Sequence, residues 1–235
     1  MQRTIKSGYN ERLFGAGLRG YFHTARFRWL ASALLRVGCV SDSVLEIGCF
    51  DGKVLDILPT PPRTYLGLDA DWEGGLGIAQ ERWAHKREFS FRPCCTPRQM
   101  REAVGGRRFD ISIAMETFEH VPPGMVDQYL CEIAACTSGF LFLTVPNEKG
   151  VPLLVKRLVK RLTWRDAQVY TNSEFLNAVL GRMDKVERVE HKGFDYARFI
   201  EEVRQHFDVI EVSGHPLGLL PTSLCFGVGI VAKVR

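Results

Sequence analysis

Residues 44–52 read VLEIGCFDG: an apolar run broken by one acidic residue, then Gly48 and Gly52 four apart, then a helix-forming run. In a strand–turn–helix unit such glycines permit unusual dihedrals and a close approach of backbone to a ligand. The N–H groups at the start of the helix would face a carboxylate or phosphate. About twenty residues on, TYLGLD ends at Asp69, where a carboxylate can accept hydrogen bonds from both hydroxyls of a ribose. Together these features point to an adenosine-bearing ligand.

Around this unit, short apolar runs alternate with segments of helical period, the pattern of a parallel sheet built from βαβ units. Strands are expected over residues 43–48, 64–69, 88–92, 110–115, 140–145, 207–212 and 224–234. Most are near-continuously apolar, as strands buried on both faces are. The last follows the sixth without room for a crossover helix, so it should pair antiparallel. Helices are expected over residues 24–37, 53–58, 72–86, 97–104, 124–136 and 196–206. Residues 147–193 are too long for a plain connection and should carry helices at 151–164 and 171–181. The fold class is therefore α/β: a Rossmann-like, seven-stranded, mostly parallel sheet with an antiparallel last strand and helices on both faces. We expect one domain over residues 1–235, with an N-terminal helical lid over 1–40 and a helical, substrate-binding insert after the fifth strand.

Composition narrows the classes. The 235 residues are 46% hydrophobic and 25% charged, an ordinary globular profile with a core that needs no metal or disulfide staple. No apolar run approaches the ~20 residues of a membrane-spanning helix, and the start lacks a signal-peptide core, so a cytoplasmic location is expected. Seven cysteines, an odd number without C-x-x-C spacing, read as reduced and mostly buried thiols. The formal charge of +4 is too mild to argue for nucleic acid. No feature of the sequence specifies an oligomeric state.

The order of these elements, with YLGLDAD after the second strand, FDISIAMETFEHV at the fourth and FLFLTVPN at the fifth, resembles the class I S-adenosylmethionine-dependent methyltransferases over residues 43–235. Their first motif is an acid followed by G-x-G-x-G, and here Phe50 replaces the middle glycine. The resemblance implies S-adenosyl-L-methionine as cofactor. By position, Glu46, Gly48, Cys49, Phe50 and Gly52 would hold its methionine moiety and Asp69 its ribose, with Met115 and Glu116 flanking its amino group. The family often has an Asp after the third strand, where this chain reads Arg92-Pro93-Cys94-Cys95. Adenine recognition would then fall to backbone groups near Cys95, with Ala70 or Trp72 in apolar contact.

METFEHV, residues 115–121, places Glu116, Glu119 and His120 within one turn of a strand end. Three readings stand. The string caps the strand; or His120, supported by Glu119, is a general base toward a substrate hydroxyl; or Glu116, Glu119 and His120 bind a divalent metal. The spacing E-x-x-E-H resembles that of ubiquinone-pathway O-methyltransferases and of small-RNA 3′-terminal 2′-O-methyltransferases, which use such residues on a metal. His191 is the candidate for a further ligand. VPLLVKRLVKRLTWR, residues 151–165, is an amphipathic segment that either covers a core, closes over the acceptor or makes peripheral contact with an anionic membrane. In the N-terminal stretch, Tyr9, Arg12, Tyr21 and His23 are candidates to line the pocket. The expected activity is O-methylation of a small-molecule or glycan-type acceptor. The alternatives are a lipid quinone O-methyltransferase at the membrane surface, an RNA 2′-O-methyltransferase, or a catalytically silent cofactor-binding module.

Overall fold

The computed structural model describes residues 18–162 and 170–235. In chain order the elements are α1 (Leu18–Val37), β1 (Ser43–Ile47), β2 (Thr64–Asp69), α2 (Gly75–Arg82), β3 (Phe89–Pro93), α3 (Pro97–Val104), β4 (Phe109–Met115) and α4 (Pro123–Cys136). There follow β5 (Thr137–Pro146), α5 (Gly150–Leu162), α6 (Asn172–Val179), α7 (Tyr196–His206), β6 (Phe207–His215) and β7 (Gly227–Val234). One seven-stranded sheet runs in the order β3-β2-β1-β4-β5-β7-β6. Strands β1 to β5 pair parallel, and β7 lies antiparallel between β5 and β6, as the short connection predicts. The strand order reverses between β1 and β4, so a ligand crevice is expected beyond the carboxyl ends of these two strands.

Alternate residues of each strand feed two apolar layers. Leu45, Leu66 and Leu141 meet α3, α4 and α7, whereas Val44, Ile111, Phe142 and Val231 meet α1 and α2. Burial on both faces explains why alternation is hard to see in the sequence of these strands. A smaller cluster of Leu153, Ala178, Met183 and Val186 gives the insert its own core. Four cysteines are buried, Cys39 is half-buried, and Cys95 and Cys131 are exposed; all seven are free thiols.

Several expected boundaries move for physical reasons. Instead of a helix over 53–58, β1 is followed by a single 3-10 turn, Lys53–Asp56. Pro59 excludes its predecessor from helical backbone, and Pro61 and Pro62 close off any continuation. The expected helix over 72–86 is broken at its start by left-handed backbone at Asp71, Glu73 and Gly74, and only Gly75–Arg82 is α-helical. The last strand begins at Gly227 rather than 224, because Thr222–Leu224 forms a 3-10 turn, and β6 extends to His215. Helix α1 begins six residues before the expected 24. Tyr9 and Arg12 of the expected lid, and Trp164 and Arg165 of the basic segment, lie outside the described residues.

Two joints position the crevice. Helix α1 runs along β6: the Arg36 guanidinium donates to Glu211 at 2.6 Å, and two turns earlier the Trp29 indole donates to Ser213 Oγ at 2.8 Å. The next turn back therefore lies beside His215, at the carboxyl edge of the sheet. Asn147, fully buried after β5, donates through Nδ2 to the carbonyls of Cys225 at 3.0 Å and Thr222 at 3.2 Å, while its own N–H donates to Phe226 O at 3.0 Å. Its Oδ1 accepts from Lys149 N at 3.2 Å, and its carbonyl accepts from Lys156 Nζ at 3.0 Å.

Gly229 of β7 faces the Trp29 ring at the first joint, and a Cβ there would run into the indole. Gly229→Ala should therefore destabilise the protein by about 1–3 kcal/mol, the usual range for overpacking. Urea denaturation of the variant checks this, and unchanged stability would mean that the indole swings freely.

Candidate active site

The turn after β1 is held from below. Leu68 O accepts from Gly48 N at 2.7 Å and Cys49 N at 3.1 Å. Gly48 has φ +76°, and a Cβ on it would collide with Thr117, whose hydroxyl donates to Ile47 O at 3.1 Å. This glycine is required because the turns after β1 and β4 touch. Phe50 keeps a left-handed φ of +45° without being glycine, and its ring sits where Gly75 has no Cβ, with centroids 6.1 Å from Trp72. Phe50 and Trp72 thus form one apolar wall; Trp72 is 55% exposed and Ala70 is exposed beside it. Cys95 is exposed, with its N–H donating to Gln99 Oε1 at 2.7 Å.

Asp69 is buried and joins the two turns. Its Oδ2 accepts from Phe50 N at 2.9 Å, and its Oδ1 from Asp71 N at 2.8 Å and Trp72 N at 3.3 Å. A carboxylate has about four acceptor positions, so about one remains for a ligand hydroxyl. Glu46 lies deeper: it is buried, accepts from the Tyr65 hydroxyl, and is pushed well above the usual carboxylate range by burial, with Asp51 and Asp69 adding to the shift. Met115 is also buried.

After β4 the chain turns through left-handed backbone at Glu116, φ +53°, whose N–H donates to Thr144 O at 2.9 Å. Glu116 Oε1 is buried without a hydrogen-bond partner, as are Arg26 Nε and His215 Nε2. An orphaned buried polar atom is costly and rare, and three around one edge mark a surface built to meet polar groups. Burial raises the Glu116 carboxyl, and the Arg26 and Lys156 charges offset part of that rise. Sequence reasoning missed Arg26 and passed over His215. The signal for Arg26 was present, since it stands on the same helical stripe as the buried Trp29, Leu30 and Ala33, where an arginine is out of place.

Glu119 is buried with both oxygens unpartnered; its Oε1 lies 3.7 Å from His191 Nδ1 and 4.0 Å from His120 Nε2. The two imidazoles meet edge to face with centroids 4.4 Å apart. One ligand atom from each of Glu119, His120 and His191 falls within 4.8 Å of the others. The cluster therefore contains His191 rather than Glu116, whose left-handed turn sets it apart. Two bonds hold the His191 loop in place: Arg188 Nη2 donates to the carbonyls of Phe118 and Val121, each at 3.0 Å. Burial and the neighbouring His120 push His191 down to about 4, and burial lowers His120, so both rings are neutral at pH 7. Burial, with the Glu116 charge adding, holds Glu119 well above the carboxylate range.

The five non-glycine residues with positive φ among the described residues are Phe50, Asp71, Glu73, Glu116 and Glu190. All five fall in the turns after β1, β2 and β4 or beside His191. Backbone strain of this kind collects where geometry is held for function.

No protein-family model matches the sequence, and no curated protein matches it. Solved structures do match. Magnesium protoporphyrin IX methyltransferase from Synechocystis PCC 6803, with bound SAH, superimposes with TM-score 0.61 at 15% identity, covering 96% of this chain and 92% of that one. An S-adenosylmethionine-dependent methyltransferase from Clostridium acetobutylicum gives TM-score 0.59 at 10% identity, covering 90% and 91%. The methyltransferase domain of bacterial CtHen1-C gives TM-score 0.57 at 14% identity, covering 91% and 98%. At such identities the likeness concerns the fold, and the fold is that of the S-adenosylmethionine-dependent methyltransferases.

His215 generates a pH prediction. Burial pushes it down to about 4, with the Arg26, Lys156 and Arg28 charges adding. The folded protein keeps the ring neutral, while the unfolded chain binds a proton as pH falls through about 6.5. The stability tied to His215 is therefore present above that value and lost as pH falls toward 4. Between about pH 7.5 and 5 the wild type should lose about 2 kcal/mol more than His215→Gln, read by thermal melts at fixed ionic strength. Parallel curves would mean that His215 titrates as in the unfolded chain.

Proposed function

We propose that this chain, which has the fold of the S-adenosylmethionine-dependent methyltransferases, is itself one, a single catalytic domain that methylates oxygen on a small-molecule or glycan-type acceptor. The observation that carries the reading is the pair Arg26 and Glu116, opposite charges with buried, orphaned atoms, the guanidinium close enough to act on the carboxyl. An amino-acid moiety complements them, its α-carboxylate toward the guanidinium and its α-ammonium toward the carboxylate. The remaining acceptor position on Asp69 suits one ribose hydroxyl, and the Phe50–Trp72 wall suits a purine face.

When bound, the cofactor supplies a methyl group on a sulfonium sulfur, which leaves with the bonding pair. Arg26, Glu116 and Asp69 fix its ends, so that the acceptor oxygen approaches in line. His120, neutral at pH 7 and half exposed, accepts the proton that the acceptor hydroxyl releases. Glu119, 4.0 Å from that ring, positions it.

Titration calorimetry with S-adenosylhomocysteine and with 5′-methylthioadenosine, which lacks the amino-acid moiety, tests the reading. Arg26→Ala should weaken the first by tenfold or more, about 1.4 kcal/mol, and leave the second unchanged. A folded wild type that binds neither is not a methyltransferase of this kind. Binding without turnover of any hydroxyl, amine or carbon acceptor would make the protein a silent module, and methyl transfer confined to nitrogen or carbon would remove the oxygen assignment.

A second reading is favoured by the donor set itself. One carboxylate with two unpartnered oxygens and two neutral imidazoles fit a divalent cation, which Glu119, His120 and His191 would hold and which would supply Lewis acidity toward a hydroxyl. Calorimetry with Mn²⁺ or Zn²⁺ should then show one site that His191→Ala removes. The same heat from wild type and variant would leave the cluster to proton transfer alone.

A further inference from the structure

His120 is half exposed, and among the described residues no hydrogen bond fixes its imidazole. Its neighbours are Glu119 Oε1 at 4.0 Å and the His191 ring, edge to face with centroids 4.4 Å apart. An imidazole bonded to nothing turns between rotamers, so the ring packed against it decides where its nitrogen points. The aim of His120 therefore depends on where His191 is placed. His191 comes from a distant part of the chain. Val189 and Lys192 exchange both main-chain hydrogen bonds, each at 3.0 Å, which leaves Glu190 and His191 as the two central residues of a hairpin turn, with Glu190 at φ +51°. Such a turn fixes how the imidazole leaves the chain and leaves open where the turn sits. At its far end the buried Lys192 donates to Glu174 Oε1 at 2.9 Å, at the start of α6, which ties it to the insert rather than to the sheet.

Arg188 supplies the tie to the turn after β4. Its Nη2 donates to Phe118 O and Val121 O, each at 3.0 Å, and these two carbonyls flank Glu119 and His120. Among the described residues they are the hydrogen bonds that join residues 186–192 to residues 116–121. The guanidinium lies 5.1 Å over the Phe194 ring, and Phe194 leads through Phe199 to Phe118 by ring contacts of 5.7 and 5.0 Å, with all three rings buried. The clamp thus rests on the same aromatic stack that carries one of the carbonyls it binds. A charged donor strengthens both bonds, and a planar fork laid on a ring loses little freedom in making them. We propose that Arg188 is the positioning residue of the histidine pair: its grip on the carbonyls either side of Glu119 and His120 sets the His191 ring against the His120 ring, and so aims the imidazole that receives the acceptor's proton. The proton step rests on the methyl-transfer reading; the placement of the two rings does not.

The nuclear Overhauser cross-peak between the carbon-bound ring protons of His120 and His191 reads that placement directly. It is recorded on the full chain, isotope-labelled at histidine, with EDTA present so that no cation holds the rings together, and is assigned with His120→Gln and His191→Gln. Wild type should show it. Arg188→Met keeps a stem on the Phe194 ring and removes the donors; its cross-peak should be at least about fivefold weaker at an unchanged circular dichroism spectrum, since a ring without its supporting shell samples many geometries. Arg188→Lys, which has donors without the planar fork, should fall between the two. Both variants should bind S-adenosylhomocysteine as wild type does. A wild type without the cross-peak overturns the proposal, as does wild-type intensity in folded Arg188→Met; should that variant not fold, wild-type intensity in Arg188→Lys overturns it. Loss of S-adenosylhomocysteine binding in a folded variant, from a wild type that binds it, also overturns it and makes the clamp a support of the whole crevice. The expected cross-peaks in a wild type that binds no S-adenosylhomocysteine would remove the methyl-transfer reading and leave the placement of the rings by Arg188 in force.

Discussion

The carboxylate of Asp69 is the constraint on which the crevice depends. It binds one backbone N–H from the turn after β1 and two from the turn after β2, so two loops on neighbouring strands share a single acceptor. Charge-assisted bonds of this kind, partly shielded from water, are stronger than neutral ones and fix position as well as energy. They hold Phe50 and Asp71 in left-handed backbone that these residues do not favour alone. The hydrogen bonds that define the crevice are thus largely internal, which leaves the ligand few places to bind and makes each of them specific.

Beyond that rim the site is organised by opposite charges kept apart. Arg26 approaches from α1 and Glu116 from the turn after β4; their charges act on each other, but neither orphaned atom has a hydrogen-bond partner. The cost of leaving them unpaired is carried by the packing of α1, through the Trp29 indole on β7 and the Arg36 bond to β6. A molecule that satisfied both would recover that cost, so stability and binding are linked at this edge. The loop that brings His191 to the cluster is held by the carbonyl clamp of Arg188.

The sheet was legible because parallel strands buried on both faces are written as apolar runs, and the antiparallel end because no crossover fits between Phe207 and Val234. Element ends were less legible. The Pro59–Pro62 cluster cut the helix after β1 to one turn, and left-handed backbone at Glu73 and Gly74 displaced the next, effects that depend on single residues rather than on period. In the site, Asp69, Glu116, Glu119 and His120 could be named because local motifs carry them. Arg26 and His215 could not, since their role arises only when α1 and β6 are brought to the same edge.

Asn147 has a consequence that its contacts imply. Every polar group it owns is engaged: the amide nitrogen by the Thr222 and Cys225 carbonyls, the amide oxygen by Lys149, the main chain by Phe226 and Lys156. Aspartate has the same shape, but it would turn a donor into an acceptor facing those carbonyls, and no rotamer could relieve the repulsion. The sheet and the acceptor-side elements therefore meet at a pivot that tolerates neither isostere nor hydrolysis, and one deamidation there would separate the two halves of the crevice electrostatically without altering its outline.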